Sequence, residues 1–162
     1  MQSALVDTSF LITLADGARP RHATAWQYFN AFAAHGTIVY LSAVVIAEFS
    51  VRQSIDSLGL RHFVPLAFTP EHAIEAGRLQ NLIQRDATDG RVAVRDDLKL
   101  IAQCLCQGID AVFHEDGSTL DKYLARAREQ NVLRTRSVLL VDGFDESVFR
   151  GGQRSLLDGV DG

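Results

Sequence analysis

The sequence predicts a single α/β domain in which a central, mostly parallel sheet is flanked by helices on both faces. Short apolar runs at residues 4–6, 37–41, 111–113 and 136–141 alternate with longer stretches of helical periodicity, the pattern of strands joined by helical crossovers. With 162 residues, 47% of them hydrophobic, the chain can bury one sizeable core. Acidic residues stand directly after several of the apolar runs, where open α/β sheets bind their ligands.

Residues 4–6 (Ala-Leu-Val) read as a buried first strand that reaches Asp7 at once, and Thr8-Ser9 leads into a helix opening with Phe10-Leu11-Ile12. Asp7 stands at the C-terminal edge of the sheet, although taken alone it is most simply the N-cap of that helix. Gly17 and Pro20 end this helix, and residues 23–34 form a second one, with Trp26, Phe29 and Phe32 at helical spacing as a core stripe. The β-branched and aromatic run at 37–41 is a second strand, and Ser42 caps a helix over 43–53. Glu48 lies among apolar neighbours in that helix, so it either pairs with Arg52 four residues on or faces a cation. Residues 57–69 are a connector or an edge strand interrupted by Pro65.

Thr69-Pro70-Glu71 opens a helix to about residue 84, with Ala73, Ala76, Leu79, Leu82 and Ile83 facing the core, and 85–90 is a polar loop. The stretch 92–117 then carries the acidic pair Asp96 and Asp97, a helical segment with Leu98, Ile101, Ala102 and Leu105 on one face, a turn at Gly108, and a strand followed by Glu115 and Asp116. One of the paired aspartates is expected to cap the helix, and two exceed what capping needs. Residues 120–129 form a helix and 136–141 the last strand. The domain is drawn at 1–146, with 147–162 a polar, Gly-rich, mobile tail.

The formal charge of −4 and pI near 5.7 give no global reason to bind nucleic acid or an anionic membrane, so any phosphate binding rests on local charge or metal. No run approaches the roughly 18 apolar residues of a spanning helix and no signal-peptide pattern opens the chain, so no membrane contact and a cytoplasmic location are expected. Cys104 and Cys106, two apart on a helix, point in different directions and do not pair. The five histidines lack zinc-ligand spacing, and there is no Gly-rich phosphate loop, serine elbow or cysteine with an arranged base.

What remains is a set of carboxylates at strand ends and helix starts: Asp7, Glu48, Asp97 and Asp116, with Asp96 in reserve. Gathered at one sheet edge, they would either hold protons at raised pKa or recruit a divalent cation, and all-oxygen ligation suits Mg²⁺ or Mn²⁺. Such a cation polarises a phosphodiester and lowers the pKa of an attacking water, so the chemistry is phosphoryl transfer to water. A receiver domain would place its acidic pair after the first strand and a Lys in a late strand, and an aspartyl phosphatase would need Asp-x-Asp where residue 9 is Ser.

In these motifs the chain resembles the PIN domain, and more narrowly the VapC-type PIN proteins of toxin–antitoxin pairs. Asp7-Thr8-Ser9 followed by an aliphatic run matches the first motif of the family, and Ser42 with Glu48 six residues into the next helix matches the second. Asp97, with Leu100 three and Gly108 eleven residues on, matches the third, and Asp116, eight past that Gly, the fourth. The resemblance spans about residues 3–141. It departs at His114, where the family usually has Ser or Thr, and in the longer tail. It implies a metal-dependent endoribonuclease in which Asp7, Glu48, Asp97 and Asp116 hold one or two Mg²⁺ or Mn²⁺ ions. Ser9 and Ser42 would steady a carboxylate or the RNA substrate, Arg95 and Arg91 would contact phosphate, and Asp96 is the ligand if the register shifts by one. The resemblance also implies a small antitoxin partner and a homodimer, with apolar contact surface around Trp26 and Phe29 or Val45 and Phe49. The alternatives are a housekeeping RNA-processing PIN nuclease and a non-catalytic PIN fold that serves as a binding module.

Overall fold

Five strands pair into one all-parallel sheet: β1 (Ser3–Val6), β2 (Ile38–Ser42), β3 (Val64–Leu66), β4 (Ala111–His114) and β5 (Arg136–Leu139), in the order β3-β2-β1-β4-β5. The computed structural model describes residues 1–55, 58–115, 117 and 119–150. At the centre, Ala4, Leu5 and Val6 lie opposite Ala111, Val112 and Phe113, and all six are fully buried, as expected of a parallel sheet covered by helices on its faces. Pro65 sits in β3, an edge strand, where its missing N–H breaks no internal ladder. The strand order reverses between β1 and β4, which makes the C-terminal ends of these two strands the switch point of the fold.

The helices are α1 (Thr8–Ala15), α2 (His22–Ala34), α3 (Ala43–Ser50), α4 (Pro70–Leu82), α5 (Arg91–Gln107), α6 (Thr119–Glu129) and α7 (Ser147–Arg150), with short 3-10 turns at Leu60–His62 and Leu140–Asp142. α1 packs on α2 and α3, α4 on α5, and α5 on α6. Phe113 of β4 anchors an aromatic core, edge-on to Phe32 at 4.8 Å and to Tyr28 at 5.1 Å. Gly108 ends α5 in the left-handed region (φ 61°), which a glycine adopts without Cβ strain and which turns the chain directly into β4.

Four expectations need correction. α5 starts at Arg91, capped by Gly90, because Val94 extends the buried stripe of Leu98, Ile101 and Ala102 back by one turn; neither Asp96 nor Asp97 is a cap. On α2 the inward face is Ala25, Tyr28, Ala31 and Phe32, so Trp26 is 42% exposed and Phe29 half-buried rather than core. On α4, Leu79 is buried, as is Ile83 just after it, while Ala73 and Leu82 face outward. The boundary at 146 falls inside packed structure: α7 buries Phe149, whose ring lies 4.7 Å from that of His35, and the Met1 amino group donates to the Phe149 carbonyl at 2.7 Å. The rest of the expected tail, 151–162, lies outside the described residues.

Candidate active site

Asp7 ends β1 and caps α1, so both readings of this residue hold. Its backbone N–H continues the ladder to the Phe113 carbonyl at 3.0 Å, and its Oδ1 accepts from the Phe10 N–H at 2.9 Å and the Ser9 hydroxyl at 2.8 Å. The Ser9 oxygen in turn accepts from the Glu115 N–H at 2.8 Å. Ser9 thus ties the end of β1 to the chain leaving β4. Burial pushes the Asp7 carboxyl up to about 7, against the pull of these donors and with the charge of Asp97 adding to the rise.

Asp97 lies in the second turn of α5, half-buried, and Thr119 at the start of α6 donates its hydroxyl to Oδ2. Burial raises its carboxyl to about 6; Thr119 opposes the rise and the charges of Glu48, Asp96 and Asp89 add to it. Asp96, one residue earlier, is taken up by Lys99 at 2.7 Å on the same helix. Glu48 is exposed on α3 and accepts from the Thr8 hydroxyl; it forms no ion pair with Arg52. Ser42 caps α3 through the Val44 N–H at 3.0 Å, and its hydroxyl donates to the buried Gln103 Oε1 of α5 at 2.5 Å, while Gln103 Nε2 reaches the Ala67 carbonyl at 3.2 Å. Ser42 and Gln103 thus tie the end of β2 and the start of α3 to α5 and the chain after β3.

Glu115, just past β4, is buried, and its carboxylate meets Arg19 at 2.6 Å and Arg21 at 3.7 Å, both between α1 and α2. A carboxylate so neutralised is a tie between segments rather than a free metal donor. His114 is fully buried, its Nε2 2.6 Å from Ser137 Oγ on β5. Asp116 lies outside the described residues. Arg95 and Arg91 are exposed on α5, in a helix rather than a loop.

The three described carboxylates interact in a chain, Asp7 with Asp97 and Asp97 with Glu48, although among the described residues no three His, Cys, Asp or Glu side chains close around one point. Asp7 and Asp97 present oxygen donors only, with hydroxyls of Ser9 and Thr119 behind them. That set fits Mg²⁺ or Mn²⁺, which commonly takes one or two carboxylates and keeps several waters. The sequence pointed to Asp7, Glu48 and Asp97 through their places in the pattern; it missed Thr8, Thr119 and Gln103, whose roles depend on contacts between elements far apart in the chain.

No protein-family model and no curated protein matches the sequence. Solved structures do match in shape. A chain of the VapBC2 complex from Rickettsia felis, bound to a DNA fragment from its promoter, matches with a TM-score of 0.56 at 11% identity, covering 85% of this chain and 99% of that one. VapC20 of Mycobacterium tuberculosis, a sarcin-ricin loop cleaving toxin, matches with a TM-score of 0.56 at 20% identity over 76% and 94% of the two chains. DNA-bound VapBC from Salmonella typhimurium gives 0.52 at 15% identity over 85% and 98%. This chain therefore has the PIN-like α/β fold of VapC structures.

Proposed function

We propose that this chain is a VapC-type PIN ribonuclease, a divalent-metal-dependent endoribonuclease that serves as the toxin of a toxin–antitoxin pair. The reading is supported by Asp7 at the switch point of a VapC-like sheet, with the charge of Asp97 on α5 adding to the rise of its carboxyl and both carboxyls raised toward neutral pH. Two structural neighbours are VapBC complexes and another is described as cleaving the sarcin-ricin loop, which favours an RNA substrate and an antitoxin partner here.

In this reading Asp7 and Asp97, with Glu48 and, by the resemblance, Asp116, hold Mg²⁺ or Mn²⁺. Bound there, the cation supplies Lewis acidity toward an RNA phosphodiester and an attacking water of lowered pKa. The chain's own groups set the geometry. Ser9 and the Phe10 N–H fix one oxygen of Asp7, leaving the other for the ligand, and Thr119 holds one oxygen of Asp97 in the same way. Near neutral pH these carboxyls surrender protons as the cation enters, so its binding strengthens as pH rises through 6 to 7.

For the antitoxin or a second copy, Trp26 on α2 offers exposed apolar surface with half-buried Phe29 beside it, whereas Val45 and Phe49 are fully buried and offer none. No helix is long and apolar enough to cross a membrane among the described residues, which fits the cytoplasmic setting of this role. Expression in a bacterial host tests the toxin role: the wild type should arrest growth and Asp97→Asn should not. A wild type that is harmless at high level while cutting RNA in vitro would point to a housekeeping nuclease.

A further inference from the structure

Between α4 and α5 runs a groove with a strongly basic rim. At one end, of about 390 Å³, it is lined by Arg85, Arg91 and Arg95 over a floor of Ile83, Val94 and Leu98. It continues past Gln80 and Arg95 to Phe68 and Gly77. All three arginines are exposed, and none makes an ion pair among the described residues. Arg85 donates to the backbone carbonyls of Asp86 and Asp89, which orders it without neutralising it.

The neighbouring carboxylates are already spent. Asp86 is gripped by Lys122 at 3.0 Å and Arg126 at 2.8 Å, Asp89 by Lys122 at 2.5 Å and the Tyr123 hydroxyl at 2.7 Å, and Asp96 by Lys99 at 2.7 Å. The groove is thus left with concentrated positive charge in a chain whose net charge is −4. Arg91 and Arg95 stand one helical turn apart, and both lie on the side of α5 away from Asp97 by helical geometry, so the carboxylate centre does not account for them.

We propose that this groove is a binding subsite for the phosphodiester backbone of single-stranded RNA, with Arg91 and Arg95 each taking a phosphate and Arg85 adding to the field. Guanidinium groups in a fork geometry suit phosphate oxygens, and an apolar floor with half-buried Phe68 suits the faces of unstacked bases. The RNA ligand rests on the ribonuclease reading; the groove itself rests on the arginines. A phosphate track on this face of α5 would orient the strand without reading its sequence.

The test is binding of a fluorescein-labelled single-stranded RNA to the full chain in EDTA, followed by anisotropy across a salt series. Arg91→Ala/Arg95→Ala should weaken binding about tenfold or more and lower the salt slope by roughly 0.7 for each arginine. Neither side chain holds a hydrogen-bond or ion-pair partner among the described residues, so the variant should fold. Gly77→Leu is a second probe, because a Cβ at Gly77 meets nothing within 4 Å and the added bulk enters the groove; it too should weaken binding. Unchanged affinity and slope in both variants, with metal-dependent cleavage intact, would overturn the groove and leave the nuclease standing. RNA that neither binds nor is cut would overturn both. Displacement of the RNA by polyglutamate at low concentration would overturn the RNA assignment in favour of an acidic protein segment.

Discussion

Ser9 and Glu115 are joined across the switch point by a 2.8 Å hydrogen bond from the Glu115 N–H to the Ser9 hydroxyl, whose own proton goes to Asp7 at 2.8 Å. One small side chain therefore fixes both the carboxylate that ends β1 and the path of the chain that leaves β4.

Ser9→Ala should cost about 1–3 kcal/mol of stability, because the N–H of buried Glu115 loses its acceptor and Asp7 loses a donor. Activity should fall as Asp7 gains rotational freedom. Thermal unfolding and RNA cleavage rates check this, and Ser9→Thr, which restores the hydroxyl, should recover part of both.

Thr119→Val keeps the shape of the side chain and removes the hydroxyl that stabilises ionised Asp97. The Asp97 carboxyl should then rise further above 6, and the acid limb of the pH–rate profile should move to higher pH. An unmoved acid limb would mean that Asp97 does not limit the reaction at low pH.

Gln103 is fully buried, with Ser42 and the Ala67 carbonyl as partners. Gln103→Leu takes the acceptor from the Ser42 hydroxyl, which keeps only the Val44 N–H, and the donor from the Ala67 carbonyl, and should cost about 1–3 kcal/mol, whereas Ser42→Ala/Gln103→Leu together should cost less than the sum of the single changes. Denaturant melts of the four proteins measure the coupling.

The metal-free protein should lose stability as pH rises. The Asp7 and Asp97 carboxyls sit at about 7 and about 6 in the folded chain, above their unfolded value of 3.8. The native state therefore holds more protons between those limits, and its stabilising share is complete below about pH 4 and gone above about pH 7. Asp86, Asp89 and Asp145 are held low by their partners and act in the opposite sense, but only as pH falls below about 4. In EDTA the melting point should be lower at pH 8 than at pH 5, and Asp7→Asn should flatten that slope. Mn²⁺ should raise the melting point at pH 8 and do far less at pH 5, where protons compete for the same oxygens.

Much of this arrangement was legible in the sequence where a residue's role is set by its own element. Asp7 closes an apolar run, Ser42 precedes a helix, Thr69-Pro70 opens one and Gly108 ends one, and local chemistry decides each of these. The start of α5 was misread because Arg91, Arg95 and the acidic pair obscure the stripe that Val94 begins. The inward face of α2 was misread because Trp26, Phe29 and Phe32 are spaced as regularly as Ala25, Tyr28 and Phe32, and only packing against the sheet chooses between them. Thr119 at Asp97, Gln103 at Ser42 and the two arginines at Glu115 join distant segments, so no local pattern announces them.

In the proposed function Asp7 and Asp97 are the core of a cation site that cleaves RNA, and Asp96 is only the half-buried ion-pair partner of Lys99. The most direct measurement is cleavage of an end-labelled single-stranded RNA by the wild type, Asp97→Asn and Asp96→Asn, each with Mn²⁺ and with EDTA. The wild type should cut only with Mn²⁺, Asp97→Asn should be slower by about a hundredfold or more, and Asp96→Asn should stay within about fivefold of wild type. Undiminished cutting in EDTA, or equal losses at the two aspartates, would contradict the account.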